Sequence, residues 1–271
     1  MTSNDDMIAY WNGDGGRRWI AAQDRLDRAM AAIGEALLAA AAPRPGERAL
    51  DVGCGLGTMT LALARSTGTT ALGVDVSAPM IELAAGKGGD ATFVVADAAR
   101  FAFTPDRDLV FSRFGVMFFA DPVAAFVHLR RAFAPGGRLV FACWRAPAEN
   151  AWAAVPLAAA RELLPPQPPP DPIAPGPFAF GDGARVRSIL ERAGYRDIAI
   201  DPHDTTMWLG ESPEDAAVHA LSVGPLARAA AELPEPTRAR IRERVAAAVA
   251  PFAGAGGIAP PAAIWLVRAR P

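Results

Sequence analysis

Ala49-Leu-Asp-Val-Gly-Cys-Gly-Leu-Gly-Thr58 decides the fold. A short apolar run carrying one carboxylate, Asp51, gives way at once to Gly53, Gly55 and Gly57. Past the turn, Met59, Leu61, Ala62, Leu63 and Ala64 read as the opening of a helix. A strand, a glycine turn and a helix in that order bring bare backbone against a small molecule, because residues without Cβ let it approach closely. Asp51 narrows the chemistry: at the lip of the turn a carboxylate repels a pyrophosphate and attracts a cationic amino-acid group.

Outward from this turn, β and α patterns alternate. Strands are expected at 48–52, 71–76, 92–96, 109–112 and 138–144, with helices at 58–65, from Ser77 as N-cap to about 85, and from Asp121-Pro122 onward. Strands separated by helices predict a parallel, doubly wound α/β sheet. Upstream, residues 17–41 read as one helix with Leu26, Met30, Ile33 and Leu37 on a stripe. Downstream come a helix at 152–164 and a proline-rich run, 165–177, read as an extended connection. A helix capped by Asp182, a sixth strand at 195–201, helices from Ser212 and at 236–249, and a last strand at 262–269 follow.

Two more acids stand where the next strands end. Asp75 closes the second strand, where a carboxylate accepts from a ribose diol. Asp97 follows the third, beside Ala98, where a carboxylate meets an adenine amino group and a backbone N–H meets a ring nitrogen. Open α/β sheets bind ligands at this end of their strands. An adenosyl group beside a cationic amino acid describes S-adenosylmethionine. NAD suits Asp75 but conflicts with Asp51 and with glycines at 53, 55 and 57 in place of GxGxxG.

Composition sets bounds. The chain has 271 residues, 51% of them hydrophobic, enough for a substantial core. A formal charge of −2 supplies no field for recruiting nucleic acid or an anionic membrane. Two cysteines make no disulfide framework, and the N-terminus has no secretory pattern, so a cytoplasmic setting is expected. No apolar run reaches the roughly 20 residues of a membrane span, and no CxxC or HxH cluster suggests a metal site. Arg238, Arg240, Arg242 and Arg244 read as a solvated helix face.

The chain resembles the class I S-adenosylmethionine-dependent methyltransferases of small-molecule type. The resemblance rests on Leu50-Asp-Val-Gly-Cys-Gly-Leu-Gly-Thr58, Gly73-Val-Asp-Val-Ser-Ala-Pro-Met80, Val95-Ala-Asp-Ala98 and Pro135-Gly-Gly-Arg-Leu139. It implies a Rossmann-like sheet of seven strands, the last antiparallel, with helices on both faces and a helical lid insertion. Residues 1–45 would be a helical cover, 46–144 the cofactor-binding core, 145–185 a proline-rich lid or linker, and 186–271 the rest of the sheet with inserted helices. It also implies roles: Asp51, Gly53 and Gly55 along the methionine portion, Asp75 on the ribose, Asp97 and Ala98 on the adenine, and the carbonyl of Arg113 toward the amino group. Met80 either packs on the adenine or belongs to the helix core. Within Tyr10-Trp-Asn-Gly-Asp-Gly-Gly-Arg-Arg-Trp19, Trp11 or Trp19 either closes over the sulfonium methyl or packs the first helix on the sheet.

The acceptor side is less marked. Ser112-Arg113-Phe114-Gly115 replaces the Asn/Asp-Pro-Pro-Tyr/Phe stretch of amino-methylating DNA enzymes. Phe114, Met117, Phe118, Trp144, Phe178, Phe180 and Trp208 are candidates to line a pocket for an apolar or aromatic molecule, and Arg113 and Arg145 to pair an acidic one. Of three histidines, His203 is the candidate base, expected just past the sixth strand with Asp204 beside it. Direct displacement on an activated methyl group needs no nucleophile from the protein. The expected activity is methyl transfer to such a small molecule. The alternatives are an NAD-dependent oxidoreductase and a non-catalytic S-adenosylmethionine-binding protein.

Overall fold

The computed structural model describes residues 4–166 and 171–271. In chain order, the N-terminal helices are α1 (Asn4–Asn12), α2 (Asp14–Ala21), α3 (Gln23–Ala29) and α4 (Ala31–Ala41). The alternating part follows: β1 (Ala49–Val52), α5 (Thr58–Thr67), β2 (Ala71–Asp75), α6 (Ala78–Gly86), β3 (Ala91–Val95), β4 (Arg107–Arg113), α7 (Pro122–Leu129) and β5 (Phe133–Trp144). Then come α8 (Ala151–Ala160), α9 (Gly183–Arg192), β6 (Arg196–Thr206), α10 (Pro213–Ser222), α11 (Pro225–Ala229) and α12 (Glu235–Val249). The chain ends with β7 (Ala253–Gly254), β8 (Gly257–Ile258) and β9 (Pro261–Arg270).

The main sheet has seven strands in the order β3-β2-β1-β4-β5-β9-β6. Strands β1 to β5 pair in parallel, and β9 runs antiparallel between β5 and β6. This is the Rossmann-like arrangement the resemblance implies, and β7–β8 add a small hairpin beyond it. The central strands are covered on both sides and therefore read as continuous apolar runs. Leu50, Leu109, Val110, Phe111, Leu139 and Phe141 are fully buried, each contributing about 1.5–3 kcal/mol of burial. Helix α5 packs on β1 and β2, α6 on β2 and β3, and α4 on β4 and β5. Helices α8, α10, α11 and α12 pack on one another as a separate layer, the helical insertion.

Four local expectations change. The expected helix over 17–41 starts earlier, at Asp14, and bends at Ala22 and Met30, where φ is −102° and −104°. Leu26→Ala22 and Gly34→Met30 amide bonds carry the helical pattern through the bends. Ser77 does not cap α6 with its side chain. Its hydroxyl donates to the Trp11 carbonyl at 2.8 Å, while Asn12 Oδ1 accepts from the Ala78 N–H at 3.0 Å. The cap thus comes from α1 and ties that helix to the β2–α6 turn. Part of the proline-rich run, 167–170, lies outside the described residues. Beyond it, 172–180 form turns rather than an extended connection, and Gly176 N–H donates to the Met117 carbonyl. Finally, β6 continues through Pro202 to Thr206. Proline is tolerated because β6 is an edge strand, with no neighbour on its outer side among the described residues to receive an N–H.

Candidate cofactor and acceptor cleft

Parallel strands β1, β2 and β4 end together, and the turns that follow them build the floor of the site. Gly53, with φ of +69°, sits so close to Gly115 that a Cβ on it would lie 2.7 Å from the Gly115 Cα. Ser112, fully buried, locks the two loops: its hydroxyl donates to the Val52 carbonyl at 2.7 Å and accepts from Gly115 N–H at 3.1 Å. Between them Phe114 takes a left-handed backbone, φ +68°, and stacks its ring on Trp144 at 4.2 Å. A bulky residue in that conformation is strained, and such strain gathers at functional sites.

A cavity of about 200 Å3 opens above this floor. One wall carries Gly53, Gly55, Asp75, Met80, Asp97, Ala98 and Arg113. Asp75 is held by two backbone amides, Gly55 N–H on Oδ2 at 2.8 Å and Ser77 N–H on Oδ1 at 2.9 Å. Burial raises its pKa, and those amides oppose the rise. Asp97 Oδ1 accepts from Ala99 N–H at 2.9 Å. Its Oδ2 is buried without a hydrogen bond, and Arg100 Nε stands 3.8 Å away. A buried acceptor in that state fits an amino group supplied by a ligand, and the fixed Asp75 carboxylate fits a diol.

Asp51 lies next door, in a smaller hollow that shares Trp19, Gly53, Gly55, Arg113 and Phe114 with the first and adds Asp27. It is 1% exposed and accepts from the Thr60 hydroxyl at 2.8 Å. Burial lifts its pKa to about 6, against the pull of that hydroxyl and of the Arg113 charge. Burial also lowers the pKa of Arg113, while Asp27 and Asp51 hold it charged. Two acids and one guanidinium thus surround a space at the glycine turn, a set of charges matching an ammonium and a carboxylate on one ligand.

The rest of the cavity is apolar. Met7, Ile8 and Trp11 come from α1, Met117 and Phe118 from the turn after β4, Trp152 and Pro156 from α8, and Val223 and Leu226 from the α10–α11 region. Trp11 meets Trp19 and Phe118 edge-on at 5.7 and 5.3 Å. Three expected lining residues are elsewhere. Phe180 is core, packed on Phe126 and Phe141. Phe178 stacks behind Trp152. Trp208 lies under Arg28, 3.9 Å from its ring centre. Arg145 is engaged by Glu149 and Asp204 and is not a lining residue.

His203 is a correction as well. It sits within β6, opposite Ile264 of β9, with β9 and β5 between it and the cleft, and it is not in the lining. The histidine of the cleft is His219 on α10, which sequence reasoning ranked below it. His219 is 2% exposed, and Arg25 Nε donates to its Nδ1 at 3.3 Å. Arg25 in turn grips both Asp215 oxygens, at 2.8 and 2.9 Å. Asp215 and His219 are four apart on one helix, hence on one face, a spacing the sequence displays. Among the described residues, no cluster of His, Cys, Asp or Glu could hold a metal, and no helix is long and apolar enough to cross a membrane.

Residues 50–141 match the family model described as Methyltransferase domain. Over 123 residues the chain is 36% identical to an uncharacterised protein of Mycobacterium tuberculosis, covering 44% of each. Over 113 residues it is 36% identical to demethylmenaquinone methyltransferase of Beutenbergia cavernae, covering 41% of this chain and 47% of that one. The matches span less than half the length of these relatives. Among solved structures, the Haemonchus contortus phosphoethanolamine N-methyltransferase 2 bound to phosphomonomethylethanolamine and S-adenosylhomocysteine superposes with a TM-score of 0.61 at 16% identity, covering 100% of this chain and 61% of that one. Residues 50–141 thus match a methyltransferase domain, and the fold built around them is similar to that of a solved methyltransferase that binds S-adenosylhomocysteine.

Proposed function

We propose that the chain binds S-adenosylmethionine and transfers its methyl group to an apolar or aromatic small molecule. One observation carries the reading: the acids suited to an adenosyl group and the apolar chamber are walls of a single cavity. The similarity to a methyltransferase whose name specifies demethylmenaquinone, a ring with an apolar tail, supports the acceptor class. The domain match favours methyl transfer over the oxidoreductase alternative.

In this reading the cofactor supplies a methyl group already activated on a sulfonium. Asp75 accepts from the ribose hydroxyls, and Asp97 Oδ2 accepts from the adenine amino group beside Ala98. Met80 packs against the adenosyl portion. Asp51 and Asp27 face the ammonium, and Arg113 faces the carboxylate. Trp19 and Trp11 offer aromatic faces to the cation, worth about 0.5–2 kcal/mol. The chamber aligns the acceptor and keeps water out, which is what a displacement chiefly needs. Incubating the protein with methyl-labelled cofactor and a panel of hydroxylated naphthalenes and quinols tests the proposal. Label in an extracted product supports it. Unreacted cofactor with every panel member, and with a mixed metabolite extract, contradicts it.

A further inference from the structure

Of the buried polar atoms without a hydrogen bond among the described residues, two belong to residues lining the cleft: Asp97 Oδ2 and His219 Nε2. The first belongs to the proposed adenosyl wall. The second is carried by α10, and the lining contributed by α10 and the α10–α11 turn is otherwise apolar: Ala220, Val223 and Leu226. Its state follows from its neighbours. Because Arg25 Nε donates to Nδ1, Nδ1 must be an acceptor, and in a neutral ring the proton is then on Nε2. Burial and the Arg25 charge both lower the pKa, to about 4, so the ring is neutral around pH 7. Arg25 is itself fixed by Asp215 and by the Leu209 carbonyl at 3.0 Å. The outcome is a rigid N–H donor with no partner, in an apolar wall of the proposed acceptor chamber. A desolvated donor is costly unless something completes it.

We propose that His219 anchors the methyl acceptor by donating from Nε2 to a carbonyl or phenolic oxygen of an otherwise apolar molecule. This rests on the reading of the chamber as an acceptor site. It assigns His219 to substrate binding and not to proton abstraction, since the nitrogen left without a partner already holds the proton. Arg25 is a positioning residue that sets the tautomer. Acceptors of the same ring and chain without that oxygen are discriminated against by roughly tenfold to a hundredfold, the weight of one completed buried hydrogen bond.

The test uses 1-tetralone, which carries a carbonyl, and tetralin, the same skeleton without it, with binding read by quenching of tryptophan fluorescence. The intact protein is expected to bind tetralone at least tenfold more tightly. His219→Phe abolishes the preference by weakening tetralone alone, and His219→Gln, which keeps a donor at the same reach, restores part of it. Long-range 15N spectra of the unaltered protein need no variant: they are expected to show Nε2 protonated and its resonance moving when tetralone is added. In Arg25→Met the Nδ1-protonated tautomer gains population. Equal binding of the two probes, no binding of tetralone, a preference that survives His219→Phe, or an Nδ1-protonated ring in the unaltered protein each overturns the proposal. Calorimetry with S-adenosylmethionine, run in parallel, is unaffected by His219→Phe. Loss of cofactor binding in the unaltered protein would strike the methyl-transfer reading and leave the probe result standing.

Discussion

Gly53 and Gly115 meet backbone to backbone: a Cβ on Gly115 would lie 2.8 Å from the Gly53 Cα and 2.5 Å from the Val52 carbonyl oxygen. The glycine turn of the proposed cofactor wall is therefore also a packing joint with the loop after β4. Gly115 has an ordinary φ of −73°, so a side chain there is opposed by contact alone. Gly115→Ala is expected to lose about 1–3 kcal/mol, the usual cost of overpacking against atoms that cannot move aside. Denaturant unfolding measures this, and an unchanged midpoint would show that the two loops are not locked.

Asp51 gives a pH prediction. With its pKa at about 6, the carboxylate is largely charged at pH 7.5 and largely protonated at pH 5. If it holds the ammonium of the cofactor, affinity falls as pH drops through 6. Asp51→Asn is expected to weaken binding about tenfold at pH 7.5 and to flatten the profile. A wild-type affinity constant between pH 5 and 7.5 would remove Asp51 from the site.

His219 gives another, on stability. A histidine whose folded pKa is depressed contributes stability above its unfolded value, 6.5, and loses it as pH falls through the folded value of about 4. The full effect is about 3 kcal/mol at 1.36 kcal/mol per unit. His219→Gln is expected to lose less stability than the native chain between pH 7 and 4, the carboxylates being common to both. Parallel acid-unfolding curves would refute the buried neutral ring.

The sheet, and the three acids at its strand ends, were legible because their signals are local. Doubly covered strands read as apolar runs, and Asp51, Asp75 and Asp97 sit within or just past them, where the ladder registers Asp51 with Gly73 and Asp75 with Val95. The acceptor wall was not, because aromatic residues look alike until packing assigns them. Phe114 and Trp144 reached the cleft, Phe180 went to the core, and Trp208 went beneath Arg28. His203 was misplaced by ending at Asp201 a strand that, at an edge, runs on to Thr206. The Arg25–His219 pairing joins residues 194 apart in sequence, and only the Asp215–His219 spacing hinted at it.

The central claim is that Asp75 and Asp97 hold one adenosyl group at the ends of adjacent strands. Calorimetric titration of the native chain, Asp75→Ala and Asp97→Ala with S-adenosylmethionine, and of the native chain with NAD, tests it most directly. The account predicts one cofactor bound per chain, affinity reduced tenfold or more in each variant with the fold retained, and no comparable heat with NAD. Full-strength binding by both variants, or tight binding of NAD by the native chain, would contradict it.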